Sequence, residues 1–197
     1  MSSSALRIQL VQEAADTPVS LSEAALHCRI DSTTDHSALQ QMVRAATRVA
    51  EQYLRRPIMT QTFKQFFDAW PCDDFIELRR SPLISVTHVK TYDDADAATT
   101  WASSNYFVDT VSQPGRIVVR STSTWPTYSR TANPIEIQYR AGFGTAPSDI
   151  PADIRQAVLM LTANLYEHRG ETITGTITSE AKEGAFDLLS AYREVMV

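Results

Sequence analysis

Two hydrophobic periods divide this chain. On either side of a central stretch, apolar residues recur at helical spacing; between Thr60 and Tyr139 they recur at every second position. The two patterns cannot share one layer of structure. A period of two lines one face of a pleated strand, and a period of 3.6 lines one face of a helix. The chain is therefore read as α+β: a helical frame of about four helices with an antiparallel β-unit inserted between the second and third long helices. The expected organisation is one compact domain overall, with an N-terminal helical part over 1–59, the β-unit over 60–145 and a C-terminal helical part over 146–197.

Local signals place the elements. Segment 6–11 alternates and reads as a short strand. Ser20 followed by Glu23 forms a capping box, so a helix of about ten residues should start there and stop near Ile30-Asp31. Asp35 is placed to cap a longer helix ending near Arg55, with Pro57 beyond it. At 100° per residue, Leu39, Met42, Val43, Ala46, Val49, Ala50, Tyr53 and Leu54 share one face of that helix, and Arg44, Arg48 and Arg55 fall opposite. In the β-unit, strands are expected at 60–68, 74–79, 83–92, 99–108, 115–120 and 134–141, separated by Pro, Gly and Asp-rich breakers. Pro151 suits the first turn of a helix over 151–169. In this helix Ile154, Ala157, Val158, Leu161 and Leu165 form one stripe, while Leu159, Met160 and Tyr166 lie off it. A helix apolar on several sides is covered on several sides, and a neighbouring subunit can supply one of them. Residues 170–182 show no helical period and read as a mobile loop, and a last helix is expected over 183–195.

Charge and composition remove several classes of function. With 18 Lys+Arg against 23 Asp+Glu the net charge is −5, so the basic footprint of a nucleic-acid-binding domain is missing. Residues 146–197 hold eight of those acids and only four of the bases. Cys28 and Cys72 stand far apart, which fits neither a disulfide framework nor zinc spacing, and a reduced compartment such as the bacterial cytoplasm is the expectation. The Met1-Ser-Ser-Ser-Ala start has no signal-peptide pattern, and no apolar run approaches the length of a membrane span. His27, His36, His88 and His168 form no metal-ligand motif. Gly142-Phe-Gly144 lacks the further glycine of a dinucleotide fold and the Lys-Ser/Thr of a phosphate loop, so it reads as a turn. No G-x-S-x-G elbow occurs, and Glu167-His-Arg169 reads as the C-terminal end of a helix, where cations are favoured. The expectation is a non-enzymatic protein with no catalytic or metal residues and no cofactor.

The features left over are surfaces. Phe186, Leu188, Leu189, Tyr192, Val195 and Met196 make the C-terminal end apolar, and such a patch is expected to dock on something. With Leu159 and Tyr166 of the preceding helix, and Ile173 and Ile177 as anchors in the loop, they are the candidate residues for subunit or partner contacts. The Arg44, Arg48, Arg55 face reads either as a solvated stripe or as an electrostatic contact.

Motif order adds a resemblance. Pro18-Val-Ser-Leu-Ser-Glu-Ala24 is followed by Arg29-Ile-Asp31, Ala45-Ala46, Val49-Ala-Glu51, Tyr53, Arg56, Ile58 and Thr60-Gln-Thr62. Trp70-Pro71, Ser81-Pro-Leu83, Ser85-Val86, Tyr106, Val108-Asp109, Pro114-Gly-Arg-Ile117 and Trp125-Pro126 come next. Tyr139-Arg-Ala-Gly-Phe-Gly144, Ile150-Pro-Ala-Asp-Ile-Arg-Gln-Ala157, Glu167-His-Arg169, Leu188-Leu189 and Tyr192-Arg193 complete the series. In this order they resemble the head–tail connector (adaptor) proteins of long-tailed phages and gene transfer agents. The resemblance implies a structural virion protein at the head–tail interface, forming a dodecameric ring beneath the portal. Its partners would be other copies of itself, the portal protein and a tail-side stopper or terminator, with DNA passing through unbound and no membrane contact. A DNA-binding packaging accessory using Arg44, Arg48 and Arg55 is the alternative.

Overall fold

A computed structural model describes residues 7–168 and 179–194. It is an α+β protein in which the described residues form four helices and eight strands, all strand pairs being antiparallel. The chain divides into two compact units, one drawn from Met1–Glu13 and Thr60–Gly142 and the other from Ala14–Met59 and Phe143–Val197.

The first unit holds the strands β1 (Ile8–Gln12), β2 (Gln61–Phe67), β3 (Phe75–Glu77), β4 (Leu83–Tyr92), β5 (Ala98–Trp101), β6 (Tyr106–Asp109), β7 (Arg116–Val119) and β8 (Ile135–Ala141). Five of them form a sheet in the order β1-β2-β8-β4-β5, and three form a second sheet in the order β3-β7-β6. The last strand in sequence, β8, sits at the centre of the larger sheet. Its alternation packs one face on the core: Ile135, Ile137, Tyr139 and Ala141 are wholly buried there, while Glu136, Gln138 and Arg140 point to the other face. The strand expected over 99–108 is two strands in two different sheets. The polar run Ser103-Ser-Asn105 makes a 3₁₀ turn between them, and Trp101 and Tyr106 on either side are both buried. Trp101 packs against Tyr106 and Trp125 at ring distances of 5.1 and 5.5 Å, and Trp70 stacks on Trp125 at 4.3 Å. The tryptophans are thus packing residues of this unit. Gly115 is required by close approach: a Cβ there would lie 2.4 Å from the Leu83 Cβ.

The second unit holds α1 (Leu21–His27), α2 (His36–Leu54), α3 (Ala152–Glu167) and α4 (Ser179–Ser190). Val19, Leu39, Val43, Leu54, Ile58, Ile154, Val158 and Leu189 are among its buried core. The capping box at α1 forms as expected, with the Ser20 hydroxyl accepting from the Glu23 N–H and the Glu23 carboxylate accepting from the Ser20 N–H at 2.8 Å. The helix itself stops at His27, a turn earlier than expected, because Arg29 takes a left-handed φ of 54° and Ile30 bonds back to Ala25. Asp35 does not cap α2 with its side chain; Ser32 caps a 3₁₀ turn over Thr33–Asp35 instead. Arg55, at φ 60°, ends α2. Gly142, at φ 138°, and Gly144, whose Cβ would meet Asp149 at 2.2 Å, belong to a turn, as their sequence pattern indicated. The last helix begins at Ser179, so residues 179–182 are helical backbone and not loop.

Threonine revises both long helices. In α2 the buried set is Leu39, Val43, Ala46, Thr47, Ala50 and Leu54; Val49, expected inside, is 37% exposed. In α3 it is Ile154, Ala157, Val158, Leu161 and Thr162; Leu165, also expected inside, is 39% exposed. Thr47 and Thr162 each donate their hydroxyl to the carbonyl four residues back, Val43 and Val158, at 2.7 Å. A hydroxyl satisfied within its own helix can be buried at little cost, so the inner face of each helix turns towards its threonine.

Candidate functional site

The helical unit carries the features of greatest functional interest. Arg44 and Arg48 stand on the exposed face of α2 with Ala45 and Val49 beside them, and Arg55, just past the helix, is also exposed. Arg48 lies 3.7 Å from Glu51. The Arg44 side chain makes no ion pair among the described residues. Arg56, next in sequence, behaves oppositely. It is 8% exposed, burial lowers its pKa, and the Glu194 charge acts against that shift. The sequence places no function on Arg56, and the chain end comes close enough for the Glu194 charge to act on it. Glu194 donates its N–H to the Leu54 carbonyl at 3.0 Å, and Arg193 lies over the Tyr53 ring at 5.1 Å.

The C-terminal candidates separate by depth. Leu189 is completely buried and presents no surface. Phe186 stacks on Tyr53 with ring centroids 4.5 Å apart, so part of its ring is already used within the chain. Leu188 and Tyr192 are half-buried. The Tyr192 hydroxyl donates to Asp153 at 3.2 Å, and burial followed by the Asp153 bond and charge raises its pKa. On α3, Leu159 is half-buried, and Tyr166 donates its hydroxyl to Asp35 at 2.8 Å. Asp35 therefore serves a tertiary bond where a helix cap was expected. Ile173, Ile177, Val195 and Met196 lie outside the described residues.

Several large apolar residues are exposed that the sequence does not single out, Phe107 at 56% among them. Leu26 on α1 is 81% exposed, and in the β-unit Val111 is 90% exposed. Leu26 was detectable in principle, since Ala24 and Ala25 already occupy the inner side of so short a helix.

The chemistry available is slight. An open cleft of about 250 Å³ is lined by Cys28, Ala163, Tyr166 and Glu167. Burial, then the Glu167 charge, pushes the Cys28 thiol up, the opposite of what a reactive thiolate requires. His168 closes α3 with its Nδ1 2.9 Å from the Asn164 carbonyl. Among the described residues, no group of three or more His, Cys, Asp or Glu side chains could hold a metal ion. Nor is any helix among them long and apolar enough to cross a membrane.

The sequence profile of the head completion protein family matches residues 19–193. The chain belongs to the head completion protein family. This is a structural family of the virion neck and not an enzyme class. Solved structures agree. A chain from the neck of an empty gene transfer agent particle, determined with C6 symmetry, has 25% identity and a TM-score of 0.78, with 96% of each chain covered. A chain from the neck of the native particle, determined with C12 symmetry, has 25% identity and a TM-score of 0.69, with 95% of this chain and 97% of that one covered. A third, from the native gene transfer agent virion, shares the fold at 24% identity and a TM-score of 0.77 over 97% of both chains. No curated protein matches at a significant level. The head completion family thus accounts for the motif order from Pro18 onwards, and the role it carries is a structural one at the head–tail neck.

Proposed function

We propose that this head completion protein is a connector that forms a ring beneath the portal of a filled head, offers a platform to a tail-side stopper or terminator, and lets DNA pass. The observation that carries this reading is the likeness, over 96% of both chains, to a neck component of a gene transfer agent particle. The symmetric necks of those particles support a ring, and the C12 neck supports twelve copies. A head-to-tail contact closes into a ring when its rotation closes, and that demands two different faces on each subunit. The net charge of −5 suits a conduit, since a ring rich in Lys and Arg would hold the phosphate backbone it must release. Leu159, Tyr166, Phe186, Leu188 and Tyr192, with Ile173, Ile177, Val195 and Met196, are the candidates for subunit or portal contacts. The place of action is the virion, with assembly in the bacterial cytoplasm. Electron microscopy of the chain with its portal tests this: a coaxial ring on the portal is expected. A chain that ignores both its own copies and the portal at high concentration sinks the reading.

A further inference from the structure

Several exposed charged side chains of the helical unit make no ion pair among the described residues, and three of them stand on its long outer helices. Arg44 is exposed on α2, and Glu183 and Asp187 are exposed on α4; none of the three makes an ion pair among the described residues. Their spacing matches. Arg44 and Arg48 are four residues apart, as are Glu183 and Asp187, so each pair spans about 6 Å along its helix axis. Each pair also borders apolar surface: Ala45 and the 37%-exposed Val49 beside the arginines, half-buried Leu188 beside the acids. Charged positions around a modest apolar centre are the make-up of a protein–protein contact.

The two stripes do not serve each other within one chain. The central helix α3 packs against both α2 and α4. Tyr53 on Phe186 joins α2 to α4, and the Leu54 carbonyl takes the Glu194 N–H from the segment after α4, both near the C-terminal end of α2. Arg44 and Arg48 lie up to two turns and more before that end and face away from the core, as Glu183 and Asp187 do on α4.

We propose that the Arg44–Arg48 stripe of one copy docks on the Glu183–Asp187 stripe of a second copy, making the head-to-tail contact between neighbours in the ring. This rests on the ring reading above and adds the surfaces that form its joint. A second copy is favoured over another partner because the complement, matched in sign and spacing, is present on the same chain. It also supplies the two unlike faces that a closing ring requires.

Charge reversal tests it, with sedimentation velocity over a wide concentration range as the readout and circular dichroism as the folding control. Arg44→Glu with Arg48→Glu makes both stripes acidic; Glu183→Arg with Asp187→Arg makes both basic. Each variant alone should self-associate roughly a hundredfold more weakly than the wild type, since like charges then face each other. An equimolar mixture should recover wild-type association, because the two variants can alternate around an even-numbered ring. Should a double variant misfold, Arg44→Glu and Asp187→Arg carry the same test singly. Unchanged association of the variants, or losses that the mixture does not repair, overturns this interface and leaves the ring standing. A wild type that does not self-associate at any concentration overturns the ring and the interface with it. Lowered retention on DNA by the arginine variant, with its self-association intact, makes the stripe a nucleic-acid surface and also overturns the proposal.

Discussion

The β-unit and the helical unit place their charges differently. In the β-unit a buried acid gathers partners from neighbouring strands, and three further acids are paired with arginines. Glu136, whose side chain is only 5% exposed, takes hydrogen bonds from His88 at 2.9 Å, Lys64 at 3.1 Å and Tyr92 at 3.0 Å. Asp109 accepts from the Ser112 hydroxyl and N–H and pairs with Arg116 at 2.9 Å, and these bonds hold its carboxyl well below the usual range. Asp68 pairs with Arg7, and Asp96 with Arg130. In the helical unit, Glu23 meets Arg155, but Arg44, Glu183 and Asp187 stay open on exposed helix faces. Strand pairing brings distant residues side by side, so a polar sheet face finds partners from its own neighbours. A helix shows its outer stripe to solvent and finds partners there only at i±3 or i±4, or on another molecule. The helical unit thus offers charged helix faces to a neighbour, while the β-unit exposes apolar residues such as Val111 and Phe107.

Substitutions can break or sharpen this contrast. The largest effect is expected from Leu189→Asp, which puts a charge into the helical core. It should cost about 4 kcal/mol or more and abolish the cooperative melt seen by circular dichroism. Leu188→Asp, at the half-buried neighbour, should leave the fold standing with a loss of about 1 kcal/mol; equal losses at the two positions would erase the distinction in depth. Next comes Gly115→Ala, where the new methyl collides with Leu83. A loss of roughly 1–3 kcal/mol is expected, with a changed tryptophan emission because the Trp70, Trp101 and Trp125 cluster reports on the same unit.

The Glu136 cluster gives a pH test. Burial alone would raise the Glu136 pKa, but the hydrogen bonds from His88, Lys64 and Tyr92 and the Lys64 charge outweigh it and leave the pKa lowered. A carboxylate lowered on folding adds stability that is complete above its unfolded value, about 4.3, and lost as pH falls through the folded value. Denaturant titrations of the wild type should thus show stability falling below about pH 4. Glu136→Gln should be less stable at neutral pH and should lose less on acidification; an unchanged acid slope would remove Glu136 from the account. The smallest effect belongs to Ser20→Ala, which breaks the capping box of α1 and should cost about 1 kcal/mol in a chemical melt.

Local pattern carried much of the fold. The capping box at Ser20 and Glu23, the alternation through β2, β4 and β8 and the turn at Gly142–Gly144 each depend on a few neighbouring residues, and each was legible in order. So was the family, since its motifs are spread along the chain and need no knowledge of contacts. The positions that differ share a cause. Apolarity alone puts Val49 and Leu165 inside, while Thr47 and Thr162 take the interior by satisfying their hydroxyls one turn back. Likewise local pattern makes Asp35 a cap, and Tyr166, distant in sequence, bonds it instead.

Period and capping are short-range effects, fixed by backbone geometry within a turn or two, so the order of helices and strands and the positions of Arg44 and Arg48 on an outer face were written in the residues themselves. Pairing and depth are long-range. That β8 lies between β2 and β4, that residues 98–109 feed two sheets, that Glu136 gathers His88, Lys64 and Tyr92, and that Leu189 is sealed while Leu188 is only half covered were decided by packing, because burial and partnership depend on what the rest of the chain brings alongside.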